Sequence, residues 1–214
     1  MPVNEKKNSE PLYQRDQYAK GGVGRRYWDY RDKVALSYLD SGDRMIVDLG
    51  CGEGITLEKA AARFPNSLVT GVDCLEENVE ICGKHRLSAL QGDVYSLDIE
   101  SSTVNAALLL EVIEHLERPE QALAEIHRIL VPGGKVIVMF PNDRAFRIAR
   151  ILTFKFKEAF YEAGHVRQWT PREATEALRG QGFDVYSARS IPFFAWSVSL
   201  HCVVAARKRN LQHA

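Results

Sequence analysis

The sequence lacks the features that mark secreted, metal-ribbon and membrane-spanning proteins. Its four cysteines form no C-x-x-C pair and no disulfide framework, and its first residues, MPVNEKKNSEP, contain no apolar signal region. The most apolar stretch, 191–206, is shorter than the about 20 residues of a spanning helix and contains Pro192 and His201. These absences predict a reduced, cytoplasmic protein in which such apolar runs form core strands.

An excess of charge of one sign is also lacking. Lysine plus arginine and aspartate plus glutamate each total 28, so the formal net charge is zero. Nucleic-acid-binding domains commonly carry a basic excess, and we therefore do not expect a nucleic-acid partner. With 45% hydrophobic and 26% charged residues the composition is that of a globular chain, and 214 residues favour a single domain.

From Met45 onward, short aliphatic runs alternate with helical patterns, which predicts an α/β fold with a mostly parallel sheet and helices on both faces. The predicted strands are 45–49, 68–72, 89–91, 104–110, 135–140, 183–188 and 198–206. The predicted helices are 55–64, 76–85, 119–130 and a last one that Thr170 opens as a cap and that runs to residue 179. We predict a helical cap segment over 1–44, one domain over 45–208 with a lid insertion at 142–168, and a tail over 209–214.

The most informative stretch is VDLGCGEG at 47–54, which closes a predicted strand and opens a helix. Glycines at such a turn let the backbone bend sharply and let a ligand approach it closely. A dinucleotide fingerprint, G-x-G-x-x-G, would need a glycine where the chain has Ile55. Asp48 gives nothing to a pyrophosphate but attracts the ammonium group of an amino-acid cofactor, which points away from NAD.

These residues resemble motif I of the class I S-adenosylmethionine-dependent methyltransferases. VTGVD at 69–73 is similar to the family's second-strand end, whose acidic residue binds the ribose hydroxyls, QGDV at 91–94 to the third-strand end beside the adenine, and LVPGGK at 130–135 to the turn before strand five. The resemblance implies a Rossmann-like, seven-stranded sheet with a reversed last strand, S-adenosylmethionine as cofactor and S-adenosylhomocysteine as its product. The implied cofactor-binding residues are Asp48, Gly50, Cys51, Gly52, Asp73, Cys74, Asp93, Val94 and Glu111.

EVIEHL at 111–116, after the fourth predicted strand, is the clearest feature on the acceptor side. On a helical turn, Glu111, Glu114 and His115 stand at i, i+3 and i+4 and share a face, which suits metal ligands, and His165 follows the insertion. The pattern is similar to the ubiquinone-biosynthesis O-methyltransferases of the methyltransferase type 11 family and to the small-RNA 2′-O-methyltransferases. This resemblance implies Mg²⁺, Mn²⁺ or Zn²⁺ on these four residues, where the ion would lower the pKa of the acceptor hydroxyls.

Several explanations of this pattern stay open. E-x-x-E-H-L also occurs in methyltransferases without a metal, and His165, His115 or Glu111 is then a candidate catalytic group. We expect the acceptor to be a small or lipid-like molecule that is methylated on oxygen. The alternatives are an RNA 2′-hydroxyl and a non-catalytic scaffold that binds the cofactor, because a fold does not fix a function.

Two segments that flank these motifs also allow two explanations each. The tyrosine-rich segment at 13–38 closes over the cofactor, with Arg31 or Lys33 near the cofactor carboxylate, or it packs on the sheet as an amphipathic helix. The stretch at 144–163 mixes aromatic and basic residues. Such a stretch is a lid on its own domain, or it makes peripheral membrane contact, here through 144–160.

Overall fold

The computed structural model describes residues 14–152 and 164–209, and a seven-stranded sheet forms its centre. The strands are β1 (Met45–Leu49), β2 (Leu68–Asp73), β3 (Ala89–Gln91), β4 (Val104–Leu110), β5 (Leu130–Pro141), β6 (Phe183–Ile191) and β7 (His201–Lys208). The described helices are α1 (Gln14–Ala19), α2 (Gly22–Leu36), α3 (Ile55–Arg63), α4 (Glu76–Lys84), α5 (Pro119–Ile129), α6 (Asp143–Leu152) and α7 (Pro171–Gly180). Short 3-10 turns lie at Ile113–His115 and Trp196–Val198.

The strand order is β3-β2-β1-β4-β5-β7-β6. Strands β1 to β5 pair in parallel, whereas β7 lies between β5 and β6 and is antiparallel to both. The predicted α/β sheet with a reversed last strand is therefore confirmed. The order reverses beside β1, so the carboxyl ends of β1 and β4 border a crevice, which is where open α/β sheets bind ligands.

Helices cover both faces of the sheet because its central strands are apolar on both sides. In β1, Val47 and Leu49 belong to one buried cluster together with residues of α5 and α7, while Ile46 belongs to a second cluster with residues of α2 and α3. Full burial of one such aliphatic side chain stabilises the fold by about 1.5–3 kcal/mol. The predicted apolar stripe of α5 is fully buried and comprises Ala122, Leu123, Ile126 and Ile129.

Two strand boundaries differ from the predictions. β5 begins at Leu130 rather than at residue 135, because Leu130 pairs with Val104 before a register shift that the Gly133–Gly134 bend accommodates. β7 begins at His201 rather than at residue 198, because the 3-10 turn at Trp196–Val198 occupies the preceding positions. The start of β7 matters for the site, since it places His201 opposite Pro141 at the carboxyl end of β5.

The predicted cap of the last helix is confirmed in detail. The side chain of Thr170 accepts a hydrogen bond from the backbone N–H of Glu173 at 3.3 Å, and the Glu173 carboxylate accepts one from the N–H of Thr170 at 2.9 Å. Pro171 occupies the first turn of α7, where its missing N–H costs nothing. This capping box fixes the segment that leads from His165 into α7.

The segments on either side of the sheet are helical where they are described. α2 buries Val34, Ala35 and Leu36 against the sheet, as the amphipathic-helix explanation requires. α6 begins the insertion, and the part of the lid hypothesis that concerns 153–163 lies outside the described residues. Within the two described stretches, every helix is too short or too polar to cross a membrane.

Candidate functional site

The glycine loop between β1 and α3 has a backbone that only glycine adopts easily. Gly50, Gly52 and Gly54 have φ angles of 72°, 54° and 80°. A Cβ on Gly54 would lie 2.7 Å from both Cys82 Sγ and Leu87 Cδ1, and one on Gly50 would collide with Val112. Side chains are therefore excluded at Gly50 and Gly54, and the backbone of the loop forms the wall of the crevice.

Asp73, at the end of β2, holds this loop in place. Its Oδ2 accepts a hydrogen bond from the N–H of Gly52 at 2.8 Å, and its Oδ1 accepts from Leu75 N and from Asn78 Nδ2, both at 3.0 Å. A carboxylate has about four acceptor positions, so one remains for a hydroxyl group of a ligand. Asp73 thus joins the loops after β1 and β2 and retains the capacity that a ribose would use.

Asp48 is a buried carboxyl group at the end of β1. It is 3% exposed and has no hydrogen-bond partner among the residues described. Burial, with Asp32 and Asp73 nearby, raises the pKa of Asp48 to about 7. A cationic group that entered this acidic pocket would stabilise the ionised form of Asp48. The carboxylates of Asp48 and Asp73, which accept hydrogen bonds, therefore fit the ammonium group and the ribose hydroxyls of S-adenosylmethionine.

The other predicted cofactor residues lie along the same edge of the sheet. Asp93 and Val94 follow the edge strand β3, where Asp93 Oδ1 accepts from Tyr95 N at 2.9 Å. Cys74 is exposed next to Asp73, while Cys51 is buried and packs against Gly71. The structure thus brings Asp48, the glycine loop and Asp73 into direct contact or proximity, with the β3 residues one strand further out.

The N-terminal helices approach the glycine loop. The backbone N–H groups of Gln14 and Arg15 donate to the Glu53 carboxylate at 2.8 and 2.6 Å, which holds α1 against the loop. Arg31 of α2 reaches the site, where its guanidinium lies 2.5 Å from Glu111. Lys33, by contrast, is exposed. Of the two predicted cations, only Arg31 lies at the crevice, so α2 both packs on the sheet and supplies the site.

The β4 loop carries the predicted acceptor residues, but it does not form one helical turn from Glu111 to His115. Glu111 has a φ of +57° and precedes the 3-10 turn, so it does not share a helical face with Glu114 and His115. Its carboxylate bonds to Arg31 and to His201 instead. Burial alone would raise the pKa of Glu111, but Arg31 and His201 lower it below its usual range.

A short backbone pairing brings His165 to this loop. The N–H groups of Val166 and Arg167 donate to the carbonyl of Glu114 at 2.9 and 3.2 Å, and Trp169 Nε1 donates to the carbonyl of Ile113 at 3.2 Å. Glu114, His115 and His165 then offer ligand atoms that all lie within 4.8 Å of one another. Three of the four predicted metal ligands are thus grouped, and Glu111 is outside the group.

The two histidines are oriented by their Nδ1 atoms. His115 Nδ1 lies 3.2 Å from the carbonyl oxygen of Gly164, and His165 Nδ1 lies 3.0 Å from Asp143 Oδ2. Because a carbonyl and a carboxylate only accept hydrogen bonds, each Nδ1 carries the hydrogen, and in a neutral ring Nε2 is then an unprotonated acceptor. Burial and His165 lower the pKa of His115 despite the hydrogen bond to Gly164, so its neutral form prevails at pH 7.

Glu114 is the second buried carboxyl group of the site. It is 2% exposed, and neither of its oxygens has a hydrogen-bond partner within the described part of the chain. Burial and the nearby Glu111 raise the pKa of Glu114 well above its usual range. Such a group either keeps a proton at neutral pH or faces a cation.

His201 and Tyr27 are site residues that the sequence analysis missed. His201 is 1% exposed and bonds to Glu111 through Nε2 and to the Tyr27 hydroxyl through Nδ1, at 2.8 Å for the latter. The one signal in the sequence was a histidine within an otherwise apolar strand. The pairing of β7 with β5, which puts His201 at the crevice, was not visible in any local pattern.

Comparison with known proteins covers the part of the chain that contains the cofactor loop and the β4 loop. Residues 47–138 match the family model described as a methyltransferase domain. Residues 47–138 therefore carry a methyltransferase domain. The resemblance read from Asp48, the glycine loop and Asp73 is confirmed by this match and by the relatives below.

Two relatives and one solved structure show which kinds of protein are similar to this methyltransferase domain. A Mycolicibacterium smegmatis protein named as an S-adenosylmethionine-dependent methyltransferase is 30% identical over 74% of this chain, which spans only 60% of that protein. A ubiquinone biosynthesis O-methyltransferase of Rickettsia typhi is 26% identical over 76% of this chain and 69% of its own length. The crystal structure of the [4+2]-cyclase SpnF is similar with a TM-score of 0.66 and 19% identity, over 85% of this chain and 81% of that one, which shows a shared fold alone.

Proposed function

We propose that this methyltransferase domain transfers a methyl group from S-adenosylmethionine to an oxygen atom of a small or lipid-like hydroxylated acceptor. The observation that carries the proposal is the pair of oriented histidines, His115 and His165, beside Glu114. The carboxyl group of Glu114 has no hydrogen-bond partner within the described residues. A hydroxyl oxygen becomes a good nucleophile only if its proton can leave. The Nε2 atom of His115, whose ring is neutral at pH 7, is suited to accept that proton.

The residues of the chain divide the work between them. Bound S-adenosylmethionine would supply an electrophilic methyl group at the crevice. Asp48, Asp73 and the glycine loop would hold it. A histidine Nε2 would take the hydroxyl proton as the acceptor oxygen bonds to the methyl carbon and the methyl–sulfur bond breaks, which leaves S-adenosylhomocysteine. Positioning of the two reactants contributes on the order of 7–11 kcal/mol to such a displacement, so rigid loops matter more than reactive side chains.

A divalent metal ion at Glu114, His115 and His165 is an alternative form of this proposal, in which the histidine nitrogens bind the ion and do not take the hydroxyl proton. The support is the short separation of the three ligand atoms and the Nδ1 hydrogen bonds to Gly164 and Asp143, which resemble the outer contacts of metal-bound histidines. A carboxylate with two imidazoles suits Zn²⁺ or Mn²⁺ better than Mg²⁺, which prefers oxygen ligands. The ion would bind the acceptor hydroxyl and lower its pKa.

Labelled methyl transfer tests the proposal directly. Purified protein is incubated with S-adenosylmethionine labelled in the methyl group and with catechols, alkylated quinols or a short RNA duplex, each with EDTA or with added Zn²⁺, Mn²⁺ or Mg²⁺. We expect labelled O-methyl product from a phenolic acceptor, reduced about 100-fold or more in His165→Ala. His127→Ala, at a histidine that packs on Phe183 away from the crevice, is the matched control.

The other outcomes separate the alternatives. Label on the RNA 2′-hydroxyl alone would favour the RNA methyltransferase, for which the same Glu114 and histidine set is the supporting feature. Binding of S-adenosylhomocysteine without transfer to any acceptor would favour a non-catalytic scaffold, because a fold does not fix a function. Equal activity with EDTA and with metal would eliminate the metal form.

We also propose that a lipid-like acceptor would be met at a membrane surface through 144–160. The described part of this stretch exposes Arg144 and Ile148 on α6, which is the basic and apolar combination of an interfacial helix. The side chains of 149–160 lie outside what the structure describes. When vesicles of anionic lipid are sedimented, the protein should be found in the pellet with them. If the fraction of protein in the pellet is the same with and without vesicles, the proposal is contradicted.

A further inference from the structure

Glu111 adopts a backbone conformation that its neighbours impose on it. It is one of few described residues other than glycine with a left-handed φ, +57°, which side chains with a Cβ rarely adopt. Its N–H donates to the carbonyl of Met139 at 2.8 Å, and the next residue, Val112, packs on the side-chain-free face of Gly50. Residues kept in such conformations cluster at functional sites, where surrounding contacts over-determine them. The conformation turns the Glu111 side chain away from the 3-10 turn and toward α2 and β7.

Two donors from distant parts of the chain hold the Glu111 carboxylate. Arg31 Nη1 lies 2.5 Å from Oε2, and His201 Nε2 bonds to Oε1. Arg31 is steadied in turn by Asp32, whose carboxylate lies 3.3 Å from its Nε. The Glu111 side chain still keeps 34% of its surface exposed although both carboxylate oxygens are bound. Glu114 and His115 are the ionisable groups next to it on the β4 loop.

His201 links this carboxylate to Tyr27. An ionised carboxylate only accepts hydrogen bonds, so His201 Nε2 must carry the hydrogen. Burial lowers the pKa of His201, which keeps its ring neutral although Glu111 acts in the opposite direction. In a neutral ring, Nδ1 is then the acceptor, and the Tyr27 hydroxyl at 2.8 Å donates to it. The rings of Tyr27 and Phe146, with centroids 5.6 and 5.0 Å from that of His201, enclose the imidazole.

We propose that Tyr27 and His201 are positioning residues of the methyl-transfer site, which hold the Glu111 carboxylate as a fixed hydrogen-bond acceptor for a hydroxyl group of the acceptor molecule. The chain of donors runs from Tyr27 Oη–H to His201 Nδ1 and from His201 Nε2–H to Glu111 Oε1. This role for the acceptor rests on the proposed function, whereas the direction of the two hydrogen bonds does not. The hydrogen-bond donors Arg31 and His201 lie on α2 and β7. These two elements, which are far apart in the sequence, therefore meet at the side chain of Glu111 on the β4 loop.

Nuclear magnetic resonance of the full chain tests the direction of the hydrogen bonds. Long-range ¹H–¹⁵N spectra of the histidine rings should show His201 as the Nε2–H tautomer from pH 6 to pH 8. Tyr27→Phe should keep this tautomer, because Glu111 still accepts from Nε2–H, but it should shift the Nδ1 resonance downfield, because Nδ1 loses its hydrogen-bond donor while the ring packing is retained. Tyr30→Phe, the same change one turn further along α2 at a ring 6.2 Å from Tyr27, should leave the spectrum unchanged. An Nδ1–H tautomer in the unaltered protein would overturn the proposal.

The ionisation of Glu111 gives the second measurement. With ¹³C-labelled glutamate carboxyl groups, assigned by Glu111→Gln, the titration midpoint of Glu111 should rise by about one pH unit or more in His201→Gln and by less in Tyr27→Phe. Arg31, Asp32 and Glu114 face the same carboxylate and are unchanged in these variants. An unchanged midpoint in both variants would mean that His201 does not act on Glu111, and the proposal would fail.

Methyl transfer then separates this proposal from the proposed function. With an acceptor that the unaltered protein methylates, Tyr27→Phe and His201→Gln should raise the KM for that acceptor about tenfold, while the affinity for S-adenosylhomocysteine stays within about twofold. A loss confined to kcat, at unchanged KM, would contradict the positioning role. If the unaltered protein methylates nothing, the proposed function fails, and the tautomer and titration results still decide whether Tyr27 and His201 position Glu111.

Discussion

The two halves of the crevice are built in different ways. The cofactor half consists of the loops after β1 and β2, where left-handed glycines and Asp73 create a site from backbone geometry within one stretch of sequence. The acceptor half is assembled from Tyr27, Glu111, His165 and His201, which come from four separate segments. The cofactor half is thus a local structure, whereas the acceptor half exists only when the whole sheet has formed.

Each half also contains one buried carboxyl group without a hydrogen-bond partner in the described stretches, Asp48 in the first and Glu114 in the second. Burial raises the pKa of both groups. In the cofactor half, the ammonium group of bound S-adenosylmethionine would account for the unpaired acid. In the acceptor half, a proton or a metal ion would do so, and this difference makes the comparison testable.

The largest effect is expected from a side chain placed in the glycine loop. Gly54→Ala adds a Cβ 2.7 Å from Cys82 Sγ and Leu87 Cδ1 at a φ of +80°, and it should lower the free energy of unfolding by about 2–4 kcal/mol. Gly83→Ala, within α4 and with no atom within 4 Å of its new Cβ, is the control and should raise it by about 0.5–1 kcal/mol. Urea unfolding measures both. Equal stability of the two variants would show that the loop tolerates side chains.

Removal of the Asp73 charge should be the next largest effect. Asp73→Asn replaces one acceptor oxygen by a donor next to Gly52 N, Leu75 N and Asn78, all of which donate to it now. Binding of S-adenosylhomocysteine should weaken by about 1.5–3 kcal/mol, as expected for hydrogen bonds to a charged group. Calorimetric titration measures it, with Asp98→Asn as the control at an exposed carboxylate outside the predicted site. An affinity unchanged from that of the unaltered protein would remove Asp73 from the cofactor site.

Local patterns in the sequence predicted the cofactor half well and the acceptor half in part. Strands β1, β3 and β4 have the predicted bounds, and Thr170 caps α7 as expected, because hydrophobic runs and capping boxes are short-range signals. The ribose-binding role of Asp73 was implied by the family resemblance and stays a prediction. The helical face that Glu111 would share with Glu114 and His115 does not form, since the Glu111 N–H bonds to Met139 and Val112 packs on Gly50.

The rest of the acceptor half depends on contacts between distant segments. His165 was identified from a resemblance, and the backbone pairing of Val166 with Glu114 explains why it reaches the β4 loop. His201 was assigned to a core strand because its neighbours are apolar. Its role became visible only with the register of β7 on β5, which one sequence without its fold does not specify.

A change of protonation on cofactor binding is expected at Asp48. Since its pKa is raised to about 7, roughly nine tenths of the molecules hold the proton at pH 6. A bound ammonium group favours the ionised form, so binding of S-adenosylhomocysteine at pH 6 should release close to one proton, and at pH 8 about a tenth of one. Calorimetry in two buffers with different heats of ionisation counts the protons. Asp48→Asn should release none, and a heat independent of buffer at pH 6 would refute the assignment.

The smallest effect, and the one that contrasts the two halves, concerns the pH dependence of stability at Glu114. Its pKa is raised in the folded state, so the folded protein keeps a proton that the unfolded chain loses above about pH 4.5. Stability should therefore fall as pH rises from there toward the folded-state pKa. Glu114→Gln removes this loss, and in EDTA its stability relative to the unaltered protein should increase from pH 5 to pH 8. Glu117→Gln, at an exposed carboxylate on the same loop, should not change the slope.

Added metal turns the same variant into a test of what pairs with the acid. A cation that binds the ionised Glu114 stabilises only the protein that has this carboxylate, so Zn²⁺ or Mn²⁺ at pH 8 should raise the urea midpoint of the unaltered protein and leave that of Glu114→Gln unchanged. If metal shifts neither protein while the slope in EDTA still differs between them, a proton alone occupies the site. The buried carboxyl group of Glu114 would then be neutralised by a proton, whereas Asp48 in the cofactor half would pair with a charged group of the ligand.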